Sequence, residues 1–203
     1  MLIRKSFTTV ALLAAFSFAS CNNESDSKDT DKSDTTMAAA PKIKEENITY
    51  TGDNTTMNGY VVYDENKQGA RPAVLVVHEW WGLNDYSKSR ARQLAELGYI
   101  AMAVDMFGEG KTADNPKDAE ALATPFYKDP QMAKARFQAA LEKLKTYPQT
   151  DSSRIGAIGY CFGGAQVINM AKLGENLVGV VSFHGNLNVV PAKKELLKSE
   201  ILV

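Results

Sequence analysis

Residues 154–164 read RIGAIGYCFGG, a short apolar run followed by a cysteine between glycines. The run up to Tyr160 is compatible with a β-strand, and the residues after Phe162 repeat apolar side chains at helical spacing. The sequence therefore predicts that Cys161 lies on a sharp strand-to-helix turn, the arrangement known as a nucleophile elbow. The first amides of such a helix favour a thiolate, and a developing oxyanion, in the space beside them.

Two glycines fit this turn. Gly159 and Gly163 flank the cysteine with one residue between on each side, and a strand and a helix that pack closely leave little room for Cβ atoms. The alternative interpretation is that Cys161 is a small buried hydrophobe on a tight turn, as most free cysteines are.

A second apolar run, residues 73–77, is rich in valine and predicts a strand that is buried on both faces. It leads directly into the sequence HEWWGLND at residues 78–85. A helix capped by Asn84 or Asp85 should follow and end at Gly98, before the next apolar strand. Strands that alternate with helices are typical of an α/β protein with a doubly wound, mostly parallel sheet.

The sites of such sheets form at the carboxyl ends of the strands. Five residues follow predicted strands and should share one rim: His78, Glu79, Trp80, Asp105 and Cys161. Ordinary interpretations exist for several of them, since a loop carboxylate is usually solvated and a tryptophan is more often core or pocket wall. We expect His78 to orient its loop by hydrogen bonding.

The two motifs together, HEWWG at residues 78–82 and GYCFGG at residues 159–164, resemble those of the dienelactone hydrolases, the cysteine branch of the α/β-hydrolase fold. The resemblance covers residues 46–203. It implies that Cys161 is the nucleophile and that Glu79 contacts the thiol and helps its deprotonation. It also implies an oxyanion hole formed by the amides of Phe162 and Trp80. The family opens lactones and related esters through an acyl-enzyme, without a metal ion or an organic cofactor.

A nucleophilic cysteine also needs activation on chemical grounds alone. A thiol is only a few per cent ionised at neutral pH, so a nearby base or positive field must raise that fraction. Glu79 alone is a weak base, and partial burial beside the two tryptophans would make it a stronger one. Four further side chains are candidate pocket residues: His78, Trp81, Tyr160 and His184.

The residues after Cys161 contain no aspartate and a single histidine, His184. The α/β-hydrolases carry the acid and then the histidine of their triad on loops after later strands. His184 follows the strand next after the elbow helix, which is too early, and residues 201–203 look like the beginning of a strand. We therefore expect the fold to lack its last strands here and the triad Asp and His to follow residue 203. His184 as the base is the alternative.

Residues 1–20 have the pattern of a bacterial export signal. Two basic residues precede an apolar run at residues 7–19, which is shorter than the ~20 residues that a membrane-spanning helix needs. The run ends in FASC at residues 18–21, which resembles a lipoprotein signal, although phenylalanine stands where leucine is commoner. The sequence thus predicts lipidation of Cys21, and an ordinary secretory signal with an incidental cysteine is the alternative.

Residues 21–42 should form a disordered polar tether. Residues 22–36 include no apolar side chain, five acidic groups and two lysines. This segment therefore cannot bury a core. Such a stalk would hold a globular domain clear of the membrane to which a lipidated Cys21 attaches it. We expect the domain in the periplasm or at the cell surface, with the outer membrane favoured because Asn22 follows the cysteine.

Residues 43–203 suit one domain, and a formal net charge of −1 gives no case for nucleic-acid binding. Two strands joined by a turn at residues 52–54 should lead the domain. Asp129-Pro130 should begin a helix with a buried apolar stripe, residues 193–199 suggest a short helix, and the polar segment 108–128 is a candidate for the mouth of the site.

Two functional classes remain open. The first is a lipid-anchored hydrolase of small carboxylic esters or lactones. The second is a catalytically silent ligand-binding lipoprotein on the same scaffold. A thiol redox protein is disfavoured because no C-x-x-C motif is present.

Overall fold

The valine-rich run at residues 73–77 lies in the central strand of a seven-stranded sheet. The computed structural model describes residues 39–203, which form one unit. The predicted signal peptide, Cys21 and the tether up to residue 38 lie outside the described residues. The strands are β1 (Ile43–Gly52), β2 (Thr55–Asp64), β3 (Arg71–Val77), β4 (Ile100–Val104), β5 (Thr150–Tyr160), β6 (Gly179–Phe183) and β7 (Glu200–Leu202).

The strand order is β1-β2-β4-β3-β5-β6-β7. β1 and β2 form an antiparallel hairpin whose turn residues, Asp53 and Asn54, both have a φ of 51°, as a two-residue hairpin turn of the primed type requires. β2 pairs antiparallel with β4, and every pairing from β4 to β7 is parallel. The prediction of a doubly wound, mostly parallel α/β sheet is confirmed.

Four helices flank the sheet: α1 (Asp85–Glu96), α2 (Pro116–Lys128), α3 (Pro130–Lys145) and α4 (Phe162–Lys172). The caps of α1 and α3 are those that the sequence predicts, because Asn84 accepts a hydrogen bond from the Ser87 amide and Asp129 accepts from the first turn of α3. None of these four helices has the length and apolar character needed to cross a bilayer.

The larger core lies between the sheet and helices α3 and α4, and a smaller one lies under α1. The predicted apolar stripe of α3 faces the larger core, since all four of its members are buried: Phe137, Ala140, Leu141 and Leu144. Burial of this stripe is what holds α3 on the sheet.

One prediction from sequence is wrong in detail, and another segment contains a helix where no element was predicted. The segment 108–128 contains a full helix, α2, which begins at an Asn115 cap with Pro116 in its first turn and buries Ala119, Ala123 and Phe126. The short helix expected at residues 193–199 is only a turn, in which the Leu196 and Leu197 amides donate to the Lys193 carbonyl.

Candidate active site

Cys161 occupies a strained turn between β5 and α4. It is the N-cap of α4 and has a φ of 53° and a ψ of −111°, a conformation that is costly for any residue other than glycine and that clusters at functional sites. Its amide donates a 2.9 Å hydrogen bond to the Phe183 carbonyl at the end of β6, which fixes the turn against the sheet. The thiol is half-buried and free.

Close backbone packing holds this turn in place, as predicted for Gly159 and Gly163. A Cβ atom on Gly159 would lie 2.1 Å from the Gly163 carbonyl oxygen, and one on Gly163 would lie 2.3 Å from the Val77 carbonyl oxygen. Both neighbours are backbone atoms that cannot move aside without displacing a strand or the helix. The first turn of α4 therefore lies directly on the carboxyl end of β3.

This packing predicts a large difference between two glycine substitutions. Gly163→Ala should lower the free energy of unfolding by roughly 1–3 kcal/mol or more, because the added methyl group overpacks rigid backbone. Gly179→Ala is the matched control, since a Cβ atom there meets the Glu200 carbonyl oxygen at an ordinary 3.5 Å, and its effect should stay within about 0.5 kcal/mol. Urea unfolding measures both, and equal losses would contradict the close-packed elbow.

Two backbone amides, one after the carboxyl end of β3 and one next to Cys161 in the chain, are available for an oxyanion. Neither the Trp80 amide, in the loop after β3, nor the Phe162 amide, in the first turn of α4, finds a hydrogen-bond acceptor among residues 39–203. These are the two donors that the sequence resemblance implies. An N–H group that is unpaired at a helix N-terminus is suited to bind a developing negative charge.

His78 lies beneath this loop and not in a pocket. Its ring is fully buried, although the sequence made it a candidate pocket residue. The Met106 amide donates a 3.2 Å hydrogen bond to Nε2, so Nε2 is the unprotonated nitrogen. The proton is therefore on Nδ1, which donates it to the Glu79 carbonyl at 2.5 Å. His78 thereby joins the loops that follow β3 and β4, which matches the expected loop-orienting role.

Burial lowers the pKa of His78 from its ordinary value of 6.5 to about 4, although the Glu79 carbonyl and Asp105 oppose this effect. A lowered histidine pKa means that the unfolded chain binds a proton before the folded protein does. The stability contributed by neutral His78 is therefore complete above pH 6.5 and is lost as the pH falls toward 4.

We expect this loss to reach about 3 kcal/mol at the acidic end of the window, at about 1.4 kcal/mol per pKa unit. Urea unfolding of the wild-type protein and of His78→Asn between pH 7 and pH 4 measures it, because asparagine does not titrate. The two stability curves should converge as the pH falls. Parallel curves would mean that His78 titrates alike in the folded and unfolded states.

Asp105, which the sequence places on the same rim, has a structural position. Its carboxylate is fully buried and accepts three backbone hydrogen bonds of 2.8–2.9 Å, from Asn58, Gly108 and Gly110. It therefore shapes the loop after β4 and ties that loop to β2. A carboxylate whose lone pairs are used in this way is held away from substrate.

Glu79, Tyr160 and His184 come together in one depression of about 370 Å³ at the carboxyl end of the sheet. The other lining residues are Tyr86, Arg90 and Phe183. The wall is aromatic, since the Tyr160 and Phe183 rings stack with centroids 5.0 Å apart. Burial raises the pKa of Tyr160, and Arg90 opposes this effect.

Sequence analysis missed Arg90 and Tyr86, which α1 contributes. The Arg90 guanidinium lies 4.8 Å from the centroid of the Tyr86 ring and 5.9 Å from that of Tyr160, within the range of cation–π attraction. Both residues lie on the first two turns of an amphipathic helix that starts at the rim. This position in the sequence could have identified them as candidate site residues.

The two tryptophans lie in the loop after β3, and the end of α2 lies next to Phe162. Trp80 and Trp81 are half-buried, and their rings meet edge to face at 5.1 Å. On the other side, Tyr127 packs edge-on against Phe162 at 5.8 Å. Burial and the neighbouring Cys161 raise the pKa of Tyr127, so α2 brings an unforeseen phenol close to the thiol.

The sheet order and the strained residue on the turn between β5 and α4 define a protein of the α/β-hydrolase type with cysteine at the elbow. The chain belongs to the dienelactone hydrolase family, whose model matches residues 57–202.

Relatives agree with this assignment. Protein usf of Aquifex pyrophilus is 35% identical over 136 residues, which cover 64% of this chain and 58% of usf. A protein of Aquifex aeolicus (strain VF5), provisionally named carboxymethylenebutenolidase, is 31% identical over 159 residues, covering 76% of this chain and 67% of the relative. The crystal structure of a dienelactone hydrolase-like promiscuous phosphotriesterase from metagenomic libraries superposes with a TM-score of 0.73 at 37% identity, covering 78% of this chain and 66% of that one.

Proposed function

We propose that this protein hydrolyses small carboxylic esters or lactones through a thioester on Cys161. The observation that carries the proposal is the strained conformation of Cys161 at the N-terminus of α4, together with the Trp80 and Phe162 amides, which find no acceptor among residues 39–203. Strain of this kind persists only where the surroundings enforce it, and here close backbone packing does so. The family name, which denotes hydrolysis of a lactone, supports the same chemistry.

The proposed reaction begins when the Cys161 thiolate attacks the carbonyl carbon of the substrate and a C–S bond forms. The carbonyl oxygen becomes an oxyanion that accepts hydrogen bonds from the Trp80 and Phe162 amides. The oxyanion re-forms the carbonyl as the C–O bond to the leaving group breaks, and the departing alkoxide takes up the proton that Glu79 accepted from the thiol. Water hydrolyses the thioester, which releases the carboxylic acid and restores the thiol. In a lactone, both product groups stay on one molecule, a hydroxy acid.

Glu79 is assigned as the group that accepts the thiol proton, and His184 as a pocket residue. The two line the same depression, with the aromatic wall to contact an apolar part of the substrate. Deacylation needs a base that activates water. The chain spans 58% of the length of usf.

A panel of substrates tests the proposal on the full chain. We expect p-nitrophenyl acetate to release nitrophenol in an initial burst equal to the amount of protein, because acylation needs only the thiol, its base and the oxyanion donors. A five-membered lactone and a neutral phosphotriester belong in the panel, the latter because a solved relative is described as a phosphotriesterase. Saturable binding of these compounds with no burst would favour the silent ligand-binding alternative.

We also propose that the protein is exported and lipid-anchored through Cys21, with its domain in the periplasm or at the cell surface. This proposal is supported by the sequence of residues 1–42, most of which lies outside the described residues. In a diderm host, the wild-type protein should sediment with the membrane and incorporate labelled palmitate. Cys21→Ala should abolish the label, because it removes the sulfur to which the lipid is attached. A labelled, membrane-bound variant would contradict the assignment.

A further inference from the structure

A single buried side chain contacts both halves of the candidate oxyanion hole. The His78 imidazole hydrogen-bonds the Glu79 carbonyl at 2.5 Å, and its ring stacks on that of Phe162 with centroids 5.7 Å apart and an interplanar angle of 18°. The Glu79–Trp80 peptide contains the first proposed donor, and Phe162 carries the second.

Because the peptide group is planar, the hydrogen bond from His78 to the Glu79 carbonyl also fixes the direction of the Trp80 N–H. The Glu79 carbonyl and the Trp80 N–H belong to one planar trans peptide, so they point in opposite directions. Once Nδ1 of His78 holds the carbonyl on the buried side, the Trp80 N–H must face away from the imidazole. The Gly82 amide also donates to the Glu79 carbonyl, at a longer 3.4 Å, and this second bond supports the same orientation.

The imidazole is itself fixed from the far side. The Met106 amide donates to Nε2, and the Phe107 ring packs edge-on against the imidazole at 4.7 Å. Arg136 of α3 donates to the carbonyls of both residues, at 3.0 Å and 2.7 Å. With both nitrogens bonded and both faces packed, the ring has no freedom to turn.

We propose that His78 is the positioning residue of the oxyanion hole, which holds the Trp80 and Phe162 amides at the spacing that a tetrahedral intermediate requires. The inference rests on the proposed ester hydrolysis. His78 itself touches no substrate, because its side chain is fully buried. Its effect is therefore confined to steps in which a carbonyl oxygen becomes negative.

Two reactions of the Cys161 thiol distinguish a positioning role of His78 from a general structural role. In alkylation, Cys161 attacks the saturated carbon of iodoacetamide, and no oxyanion forms. In acylation, it attacks the carbonyl carbon of an activated ester, and a tetrahedral oxyanion forms. Loss of one oxyanion donor costs about 10²- to 10³-fold. We therefore expect His78→Gln to slow acylation by at least about 10-fold and to change alkylation by less than about 3-fold.

Two further variants sharpen the test in the full chain. His78→Asn places an amide nitrogen at the position of Nδ1 and should recover part of the acylation rate, whereas the longer glutamine side chain reaches only toward Met106. Phe107→Leu loosens the same aromatic cluster without removing either hydrogen bond of His78, so it should shift both rates alike. Equal losses of both rates in His78→Gln, or no loss, would overturn the inference.

An NMR measurement on the wild-type protein tests the same geometry without relying on the folding of a variant. Imidazole ¹⁵N shifts at neutral pH should show His78 protonated on Nδ1 and bare on Nε2, and the opposite tautomer would overturn the inference. Wild-type protein that is alkylated but never acylated would defeat the proposed function itself. Wild-type acylation that survives His78→Gln would defeat only the role of His78.

Discussion

Cys161→Ala is expected to abolish ester hydrolysis, with a loss of about 10⁴-fold or more, the scale on which removing a catalytic nucleophile acts. Alanine keeps the backbone position and removes only Sγ, so the protein should still fold. The nitrophenol burst and labelling at this position by iodoacetamide should both disappear. Stopped-flow absorbance for the burst and circular dichroism for the fold provide the comparison.

Cys161→Ser is the sharper variant of the same prediction. A hydroxyl is far less acidic than a thiol, and a carboxylate such as that of Glu79 is too weak a base to activate it, so serine should be a poor replacement. A burst of normal size in the alanine variant would remove Cys161 from its assigned role, and one in the serine variant would mean that a base stronger than a carboxylate acts on residue 161.

Glu79→Gln is expected to have the second largest effect. Glutamine keeps the shape of the side chain and removes its ability to accept a proton, and assistance by a general base is worth about 10² to 10⁴ in rate. Acylation of Cys161 at neutral pH should slow by a factor in that range, and alkylation should slow as well. Both rates can be measured as a function of pH in one protein preparation.

The sign of the change in alkylation distinguishes two roles for this carboxylate. A negative charge that merely lies near the thiol opposes ionisation, so its removal would make alkylation faster. A carboxylate that takes up the thiol proton promotes attack, so its removal makes alkylation slower. Asp85→Asn is the matched control, because it removes an exposed charge at the start of α1 and should leave both rates unchanged.

The elbow could be predicted from sequence because its determinants are local. Adjacent residues carry all of its signals: glycine at two positions around Cys161, an apolar run before it and helical periodicity after it. The caps of α1 and α3 and the end of α1 were predictable for the same reason. Strand β1 extends further than its apolar residues indicate, since most of this edge strand is exposed or half-buried.

Helix α2 was missed although its signals are present. Asn115 and Pro116 form a cap and a first turn, and Ala119, Ala123 and Phe126 recur at helical spacing. Charged residues between them and Pro125 in the last turn outweighed that pattern. The correction matters for the site, because this helix brings Phe126 against the Phe162 ring at 5.5 Å and positions Tyr127 beside it.

The composition of the depression could not be predicted, because it depends on tertiary contacts. Arg90 and Phe183 are far apart in sequence and meet only when α1 and β6 are placed on the same sheet. Likewise, the sequence places both His78 and Glu79 after β3, but the path of the loop decides that His78 turns inward and Glu79 outward. Periodicity carries no information about such a loop.

Mass spectrometry of the full chain after brief exposure to p-nitrophenyl acetate tests the central claim most directly. The account predicts one added acetyl group per molecule, mapped by peptide sequencing to Cys161 and removed by hydroxylamine as a thioester is. The adduct should be absent from Cys161→Ala and slow to form in Glu79→Gln. An acetyl group carried by any other residue, with an unmodified and reactive Cys161, would contradict the account.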